Sequence, residues 1–381
     1  MHLDLENAQV LRPCGLSNER LSFAEGRIVE DRQAKSVDLN GYMVLPGIID
    51  VHGDGFEKHL APRRGAMKQM GEGILAAEAE FAGNGITTAV MAQFVSWEGG
   101  LRSEEFAAQV FAAIRDTAPT IVTDIRPQMR LETHLLHLYG QIPDMLENLA
   151  VDYVVFNDHL PHDRLAQGRH PPRLVGQALK AGRNPDAHFQ MLLDLHNHSQ
   201  DVPAALNELC SILSSKGVRL GSHDDQTASD RIIWHDRGAC VSEFPETLDA
   251  AEAAKANGDL VVLGAPNVVR GASHMGNVSA MDLVAMGLCD ALASDYHYPS
   301  PRRAALLIAQ TGVLPFETAW KLVSEGPARV LGLDDRGSLD PGRRADLVIL
   351  DTETKRVAAT LCAGRFSFLS GDIAERFFAR R

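Results

Sequence analysis

Short hydrophobic runs alternate with longer amphipathic stretches between residues 45 and 335. Runs of this kind are typical of buried strands, and the amphipathic stretches have the periodicity of helices. Strand-like runs end near Val51, Ala92, Leu131, Phe156, Gly221, Glu243, Gly264 and Ser294. Helix-like stretches include 66–82, 102–114, 201–215, 248–256, 279–287 and 316–324. Eight strands that alternate with helices over about 250 residues predict an α/β fold of the (β/α)8, TIM-like barrel type.

An open, doubly wound α/β sheet is the alternative to the barrel. It is less favoured because the phosphate-binding fingerprint GxGxxG is missing after the first strand. Both ends of the chain have a different pattern, in which short alternating segments are separated by turn residues. We therefore predict that residues 1–44 and 336–381 form one small β domain and that residues 45–335 form the barrel.

Composition and charge limit the possible partners. The 381 residues are 45% hydrophobic, which is ample for a large core, and the net charge is −13. An acidic surface argues against nonspecific binding to nucleic acid or anionic membranes. The five cysteines stand far apart without a CxxC pair, which indicates reduced thiols. The chain has neither a signal-like start nor an apolar run of membrane length, so we expect a cytoplasmic protein. A homo-oligomeric state is compatible with the sequence.

Potential metal ligands stand at the ends of the strand-like runs. His52 and Asp54 follow the first run, and side chains two apart on a strand point the same way. Imidazole and carboxylate groups both bind zinc or manganese. Any single histidine is more often a hydrogen-bonded structural residue. The set as a whole favours a site for one or two divalent ions, with zinc ahead of manganese or iron. Its members are His52, Asp54, Glu132, His159, His223 and Asp295.

Other histidines have weaker support as ligands. His196 and His198 follow a helical run, and residues two apart on a helix diverge by about 200°. A solvated helix end is therefore favoured for this pair. His134 follows Glu132 by two residues, and we expect it to contact a metal ligand and not to bind the metal itself.

Cations near the expected barrel mouth could bind phosphate groups. The candidate phosphate-binding residues are Lys58, His59, Arg63, Arg270, His274 and Asn277. The last three belong to a polar, glycine-rich segment, 264–277, that reads as an anion-binding loop, and a plain exposed turn is the alternative. The basic segment 160–185 is equally compatible with a phosphate-binding lid and with a solvated loop and helix. A serine nucleophile has less support, since a GxSxG motif is missing.

Several motifs resemble the amidohydrolase superfamily and, within it, a group of diphosphatases of phosphonate metabolism. The resembling segments are LPGIIDVHGDGFEKHLAPR (45–63), SHDD (222–225), SEFPETLDAAEAA (242–254), GAPNVVRGASHMGN (264–277), LASDYHYP (292–299) and GSLDPGRRADLVIL (337–350). The resemblance implies a metal-bearing (β/α)8 barrel, a small β-sandwich domain built from both chain ends, and a metal-activated hydroxide as nucleophile. It also implies that Glu132 stands where many members carry a carboxylated lysine.

The resemblance further implies a function. We expect a metal-dependent hydrolase that splits the triphosphate of a small, phosphorylated ribose phosphonate and releases pyrophosphate. Asp295 would be the catalytic residue that assists the attacking water, while Lys58, Arg63, Arg270 and His274 would neutralise the triphosphate. A C–N hydrolase, such as a deacetylase or cyclic amide hydrolase, is the enzyme alternative, because fold does not determine chemistry. A metal-free binding subunit is the non-enzyme alternative.

Overall fold

The structure is a computed structural model that describes residues 1–61, 69–271 and 278–379. In these ranges the strands are β1 (Leu3–Arg12), β2 (Gly15–Ala24), β3 (Arg27–Val29), β4 (Ser36–Asp38), β5 (Tyr42–Pro46), β6 (Ile48–Gly53), β7 (Ile86–Val95), β8 (Asp124–Glu132), β9 (Tyr153–Asn157), β10 (Arg219–His223), β11 (Val241–Glu243), β12 (Leu260–Gly264), β13 (Ala291–Ala293), β14 (Leu347–Asp351), β15 (Val357–Cys362) and β16 (Arg365–Leu369).

The α-helices of the same ranges are α1 (Glu57–Leu60), α2 (Met70–Gly83), α3 (Glu104–Thr117), α4 (Ile142–Leu149), α5 (His162–Ala166), α6 (Leu174–Lys180), α7 (Pro185–Asn197), α8 (Val202–Ser215), α9 (Ala228–Asp236), α10 (Leu248–Ala256), α11 (Ala265–Arg270), α12 (Ala280–Ala285), α13 (Ser300–Gln310), α14 (Phe316–Lys321), α15 (Glu325–Val330) and α16 (Asp372–Phe378). Each of these helices is too short or too polar to cross a bilayer.

Strands from both chain ends form one sheet. Its order is β16-β15-β14-β5-β1-β2-β3, with β4 paired to β1. Val44 of β5 lies opposite Val10 of β1 on one side and Ile349 of β14 on the other. Helix α16 contributes Ile373 and Phe377 to the same hydrophobic core. The two ends therefore share one core, which explains why neither end alone has enough apolar positions for a stable fold.

The other sheet confirms the predicted (β/α)8 arrangement. Strands β6 to β13 follow chain order in one parallel sheet, and each ends within a few residues of the end predicted for it. An isolated bridge pairs Gly53, the last residue of β6, with Asp295 after β13. All five residues of β9 are buried, as expected for a strand that is covered on both faces.

The chain divides into two compact units. The first unit comprises Met1–Met91, Thr117–Arg126 and Leu260–Arg381, and the second comprises Ala92–Asp116 and Pro127–Asp259. The first holds the terminal sheet with β6, β12 and β13, whereas the second holds β9, β10 and β11. The domain boundaries predicted at residues 44/45 and 335/336 stay a prediction.

The segment 264–277, which the sequence suggested as a loop, begins with a helix, and the segment after β9 contains three helices. Ala265–Arg270 forms α11 instead of an anion-binding loop: Pro266 is favourable in a first helical turn, and Gly271 ends the helix at φ 77°. The segment after β9 contains α5, α6 and α7, and Leu174 of α6 is buried in the core of the second unit. Helix α7 ends at Asn197, which agrees with the helix end that was favoured for His196 and His198.

Candidate metal and active site

Ligand atoms converge at the ends of β9 and β10 in the second unit. The Oδ2 atom of Asp224 lies 2.9 Å from Nδ1 of His223 and 3.7 Å from Nε2 of His159. These three residues can offer ligand atoms within 4.8 Å of one another. Two imidazole nitrogens and a carboxylate oxygen form a donor set that suits zinc and related divalent ions. The residues present therefore fit the metal that the sequence led us to expect.

Glu132 holds His159 in place from behind. Its Oε1 lies 2.5 Å from Nδ1 of His159, and its Oε2 accepts a hydrogen bond of 3.1 Å from the His159 backbone N–H. A proton on Nδ1 leaves Nε2 on the side of Asp224, which is how outer-shell carboxylates orient metal-binding histidines. The role of metal ligand that was predicted for Glu132 stays a prediction.

The pKa values of His159 and Asp224 show that this group attracts positive charge. Burial by itself lowers the pKa of His159, but its bonds to Asp224 and Glu132 outweigh burial and raise the pKa to about 9. Burial acts in the opposite direction on Asp224, where the neighbouring His223 and His159 hold the pKa well below its usual range. Asp224 is therefore ionised at neutral pH. A metal ion would take the place of the proton on Nε2 of His159.

The run Ser222-His223-Asp224-Asp225 contains two carboxylates with different surroundings. Asp224 faces the histidines at φ 60°, an uncommon conformation that is frequent at functional sites. Asp225 is buried and accepts hydrogen bonds from Ser222, Ser242 and Arg231 at 2.7, 2.8 and 3.2 Å. Its contacts are structural, so Asp224 is the member of the pair that can bind metal. The predicted ligand set had overlooked Asp224, although it directly follows His223.

Arg130 places a positive charge against His223. Its Nη2 lies 2.9 Å from Nε2 of His223, and its guanidinium stacks 3.8 Å from the ring centroid of Phe94. Because a guanidinium can only donate, Nε2 of His223 is the acceptor, and a neutral imidazole then carries its proton on Nδ1, which faces Asp224. A metal ion on His223 would therefore displace one of these two contacts. Arg130 was not among the predicted site residues, since nothing in β8 marks one arginine as different from the others.

Glu243 is a second strand-end residue outside the predicted set. It lies opposite His223 in the β10–β11 register, is fully buried, and accepts hydrogen bonds from Gln128 at 2.9 Å and Tyr153 at 2.7 Å. Phe244, which follows it, has φ 56°. Glu243 could have been found from the sequence, because it ends a strand as the predicted ligands do.

In the first unit, the backbone fixes three predicted ligands at neighbouring strand ends. The Asp54 N–H donates to the Asp295 carbonyl at 2.8 Å, and the Asp295 N–H donates to the His52 carbonyl at 2.9 Å. Asp50, two residues before His52, accepts hydrogen bonds from the backbone N–H and the hydroxyl of Ser294 at 2.8 and 2.5 Å. Burial raises the pKa of Asp50 to about 6, in spite of these bonds.

The predicted phosphate-binding cations already have partners. Lys58 and His59 contact the two carboxylate oxygens of Glu80 at 2.7 and 2.6 Å. Arg270 hydrogen-bonds the hydroxyl of Tyr296, and its guanidinium lies 5.2 Å from that ring centroid. Their role toward phosphate stays a prediction. The other candidates, Arg63, His274 and Asn277, lie outside the described residues.

A cavity of about 850 Å³ lies beside the second-unit group. His159, His223 and Asp224 line one part of it, and His134, Asp158 and Arg237 line another. A volume of this size is typical of sites for small-molecule ligands.

Comparison with known proteins identifies the relatives of the chain. A model described as "Amidohydrolase family" matches residues 245–367. Over 358 residues the chain is 32% identical to the alpha-D-ribose 1-methylphosphonate 5-triphosphate diphosphatase of Escherichia coli (strain K12), covering 91% of this chain and 93% of that protein. A stretch of 67 residues is 42% identical to the N-acetylglucosamine-6-phosphate deacetylase of Caenorhabditis elegans, covering 17% of this chain and 16% of that protein.

Solved structures agree with the fold. The N-isopropylammelide isopropylaminohydrolase of Burkholderia multivorans ATCC 17616 matches with a TM-score of 0.65 at 17% identity, covering 97% of this chain and 100% of that chain. At this identity the likeness concerns the fold alone. The relationship to the diphosphatase extends over nine-tenths of the sequence, and it confirms the predicted enzyme class and a small-molecule substrate. The chain is a metal-dependent hydrolase that belongs to the amidohydrolase family.

Proposed function

We propose that this hydrolase converts α-D-ribose 1-methylphosphonate 5-triphosphate into the 5-phosphate and pyrophosphate. The observation that carries the proposal is the 32% identity to a diphosphatase with this substrate in its name, which extends over 91% of the chain. The match covers 91% of this chain and 93% of that relative, so the likeness is not confined to one part of the fold.

In this proposal His159, His223 and Asp224 hold a divalent ion, and the other residues predicted from strand ends stay predicted ligands. An ion held by these three residues would supply Lewis acidity, which lowers the pKa of a water molecule and neutralises a phosphoryl oxygen. Glu132 keeps His159 in the orientation that presents Nε2. Arg130, whose charge is nearly enclosed at 5% exposure, adds positive potential that favours an anionic substrate.

The proposed reaction is hydrolysis of one phosphoanhydride bond. The oxygen of a water molecule attacks the α-phosphorus, and Asp295 accepts its proton. The bond from the α-phosphorus to the bridging oxygen breaks, and pyrophosphate leaves with the electron pair. Lys58, His59 and Arg270 meet the β- and γ-phosphates, where negative charge accumulates on the leaving group.

A C–N hydrolase is the second candidate. The stretch that is 42% identical to a deacetylase favours it, although it covers 17% of the chain. The two candidates differ in the group that is hydrolysed, a phosphoanhydride in one and an amide in the other. A diphosphatase needs cations around a polyphosphate, whereas a deacetylase needs to polarise a neutral amide carbonyl.

Direct assay separates the two candidates. The purified, zinc-loaded protein is incubated with the ribose phosphonate triphosphate and, in parallel, with N-acetylated sugar phosphates and cyclic amides. We expect pyrophosphate in stoichiometric amounts from the triphosphate, and its loss in His223→Ala. Amide hydrolysis without pyrophosphate release would overturn the proposal in favour of the C–N hydrolase.

The cytoplasmic location, a homo-oligomeric state and the preference for zinc stay predictions.

A further inference from the structure

A second group of potential metal ligands lies beside the same cavity, apart from the predicted ligand set. It consists of His134, Asp158 and His162, and we call it the His134 cluster. His134 follows β8, Asp158 follows β9, and His162 begins α5. We propose that the His134 cluster is a separate binding site for a zinc-like divalent ion.

The spacing of the ligand atoms supports a metal better than direct ion pairs. Nε2 of His162 lies 3.2 Å from each carboxylate oxygen of Asp158, and Nδ1 of His134 lies 3.5 Å from Oδ1. Charge-assisted hydrogen bonds between such groups are about 2.7–2.9 Å long. In tetrahedral zinc sites with bonds of about 2.0–2.1 Å, neighbouring ligand atoms are about 3.3–3.4 Å apart. The observed separations lie on both sides of that value.

Outer contacts fix the orientation of both imidazoles. Nδ1 of His162 lies 2.8 Å from Nδ1 of His196, and Nε2 of His134 lies 3.2 Å from the Ser199 hydroxyl. Ser199 in turn donates to the His196 carbonyl at 2.6 Å, so its oxygen is free to accept from His134. Each ring can thereby place its proton on the outer nitrogen and keep the lone pair of the inner nitrogen toward Asp158. Metal-binding histidines characteristically have this second contact.

The surroundings leave access for an ion. His134 is buried at 4% side-chain exposure, whereas Asp158 is 45% exposed and all three residues line the cavity of about 850 Å³. A water molecule or a substrate group can therefore complete a fourth position. The Thr133 hydroxyl, 3.3 Å from Nδ1 of His134, is the competing contact that an ion would displace. Bound there, an ion would connect α5 to the ends of β8 and β9, which form one wall of the cavity.

Metal stoichiometry tests the site without any assay of activity. Metal-free protein is titrated with Co²⁺, which is followed by its visible absorption, and with Zn²⁺, which is followed by elemental analysis. Wild type should bind one more ion per chain than His162→Gln or Asp158→Asn. His223→Ala should keep the ion that these two variants lose. His196→Ala, which removes an outer contact, should weaken binding about 10- to 100-fold.

His198→Gln is the matched control, because His198 is an exposed histidine close to His196 and bonds to the Asp194 carbonyl. It should bind as wild type does. Asp158→Asn preserves size and shape, and circular dichroism establishes that each variant is folded. Equal stoichiometry and affinity in wild type, His162→Gln and Asp158→Asn would overturn the site. Because this site does not depend on the proposed function, a failed diphosphatase assay leaves its test unaffected.

Discussion

At the scale of single residues, the glycine between His52 and Asp54 is required by packing. A Cβ atom at Gly53 would lie 2.7 Å from Cε1 of Tyr298, 2.8 Å from Oδ2 of Asp50 and 2.9 Å from the Ser294 hydroxyl. The small residue thus lets β6 approach the residues after β13. A Cβ atom would press on both Asp50 and Ser294, which are hydrogen-bonded to each other next to the two ligand candidates His52 and Asp54.

Gly53→Ala should therefore reduce the free energy of unfolding by about 1–3 kcal/mol, the usual cost of overpacking. Urea denaturation measures the change. Gly140→Ala is the control, since a Cβ atom there meets nothing within 4 Å, and it should stay within about 0.5 kcal/mol of wild type. Equal stability of the two variants would contradict the packing argument.

The contact between Glu132 and His159 predicts a pH effect in metal-free protein. The folded-state pKa of His159 is raised to about 9, above its value in an unfolded chain, so folding strengthens proton binding. The resulting stabilisation is complete below about pH 6.5 and is lost as the pH rises through about 9. Glu132→Gln should lower the pKa of His159, as measured by NMR titration, and should destabilise the protein more at pH 6 than at pH 10.

Glu147→Gln is the control for this titration. Glu147 is exposed, and its carboxylate pairs with Lys216 and not with His159. It should leave the pKa of His159 unchanged. If Glu132→Gln also leaves it unchanged, the close contact to the imidazole has no electrostatic effect.

Arg270 provides the residue-scale test of phosphate binding. Arg270→Ala should slow hydrolysis of the triphosphate about 10- to 150-fold, because it removes a charge-assisted contact of about 1.5–3 kcal/mol. The loss should be smaller for substrates with fewer phosphates. Tyr296→Phe retains the charge and removes the hydroxyl that Arg270 contacts, so it should have a smaller effect. Equal losses on neutral and polyphosphate substrates would show that Arg270 is structural.

At the scale of elements, β5 joins the two ends of the chain. It pairs with β1 near the start of the chain and with β14 near its end. Removal of β14 to β16 leaves one edge of β5 unpaired and uncovers buried residues such as Val44 and Leu45. An open hydrophobic edge favours aggregation.

Deletion of residues 345–381 should therefore yield insoluble protein or protein without a cooperative unfolding transition. Sedimentation and thermal unfolding measure the outcome. Ile349→Ala is the milder companion variant, because it keeps the β5–β14 pairing and removes part of one buried side chain. It should remain soluble with a loss of about 2–5 kcal/mol. A soluble, cooperatively folded deletion variant would contradict the shared core.

At the scale of the whole molecule, activity should depend on a bound divalent ion. Removal of the metal by a chelator should abolish turnover, and zinc or manganese should restore it. His223→Ala should lose turnover with little change in thermal stability, since its imidazole serves the site and not the hydrophobic core. Full activity of protein that elemental analysis shows to be metal-free would refute the metal-dependent mechanism.

Much of the fold could be predicted because its signals are local. A run such as Tyr153–Asn157 is buried on both faces, and the polar residue that ends it is visible in the sequence. The end of α7 at Asn197 and the end of β11 at Glu243 follow from the same kind of short-range pattern. The resemblance of the motifs to the amidohydrolase superfamily added the expectation of a metal.

Only the tertiary structure decided which atoms meet. The sequence by itself determined the order of the eight strands and the histidines and carboxylates at their ends, because hydrophobic period and end residues are properties of neighbouring positions. The contact of Glu80 with Lys58 and His59, and of Arg130 with His223, joins residues 21 to 93 positions apart. Such contacts depend on strand register and helix packing, which bring distant side chains together within a few ångströms, and no local pattern specifies them.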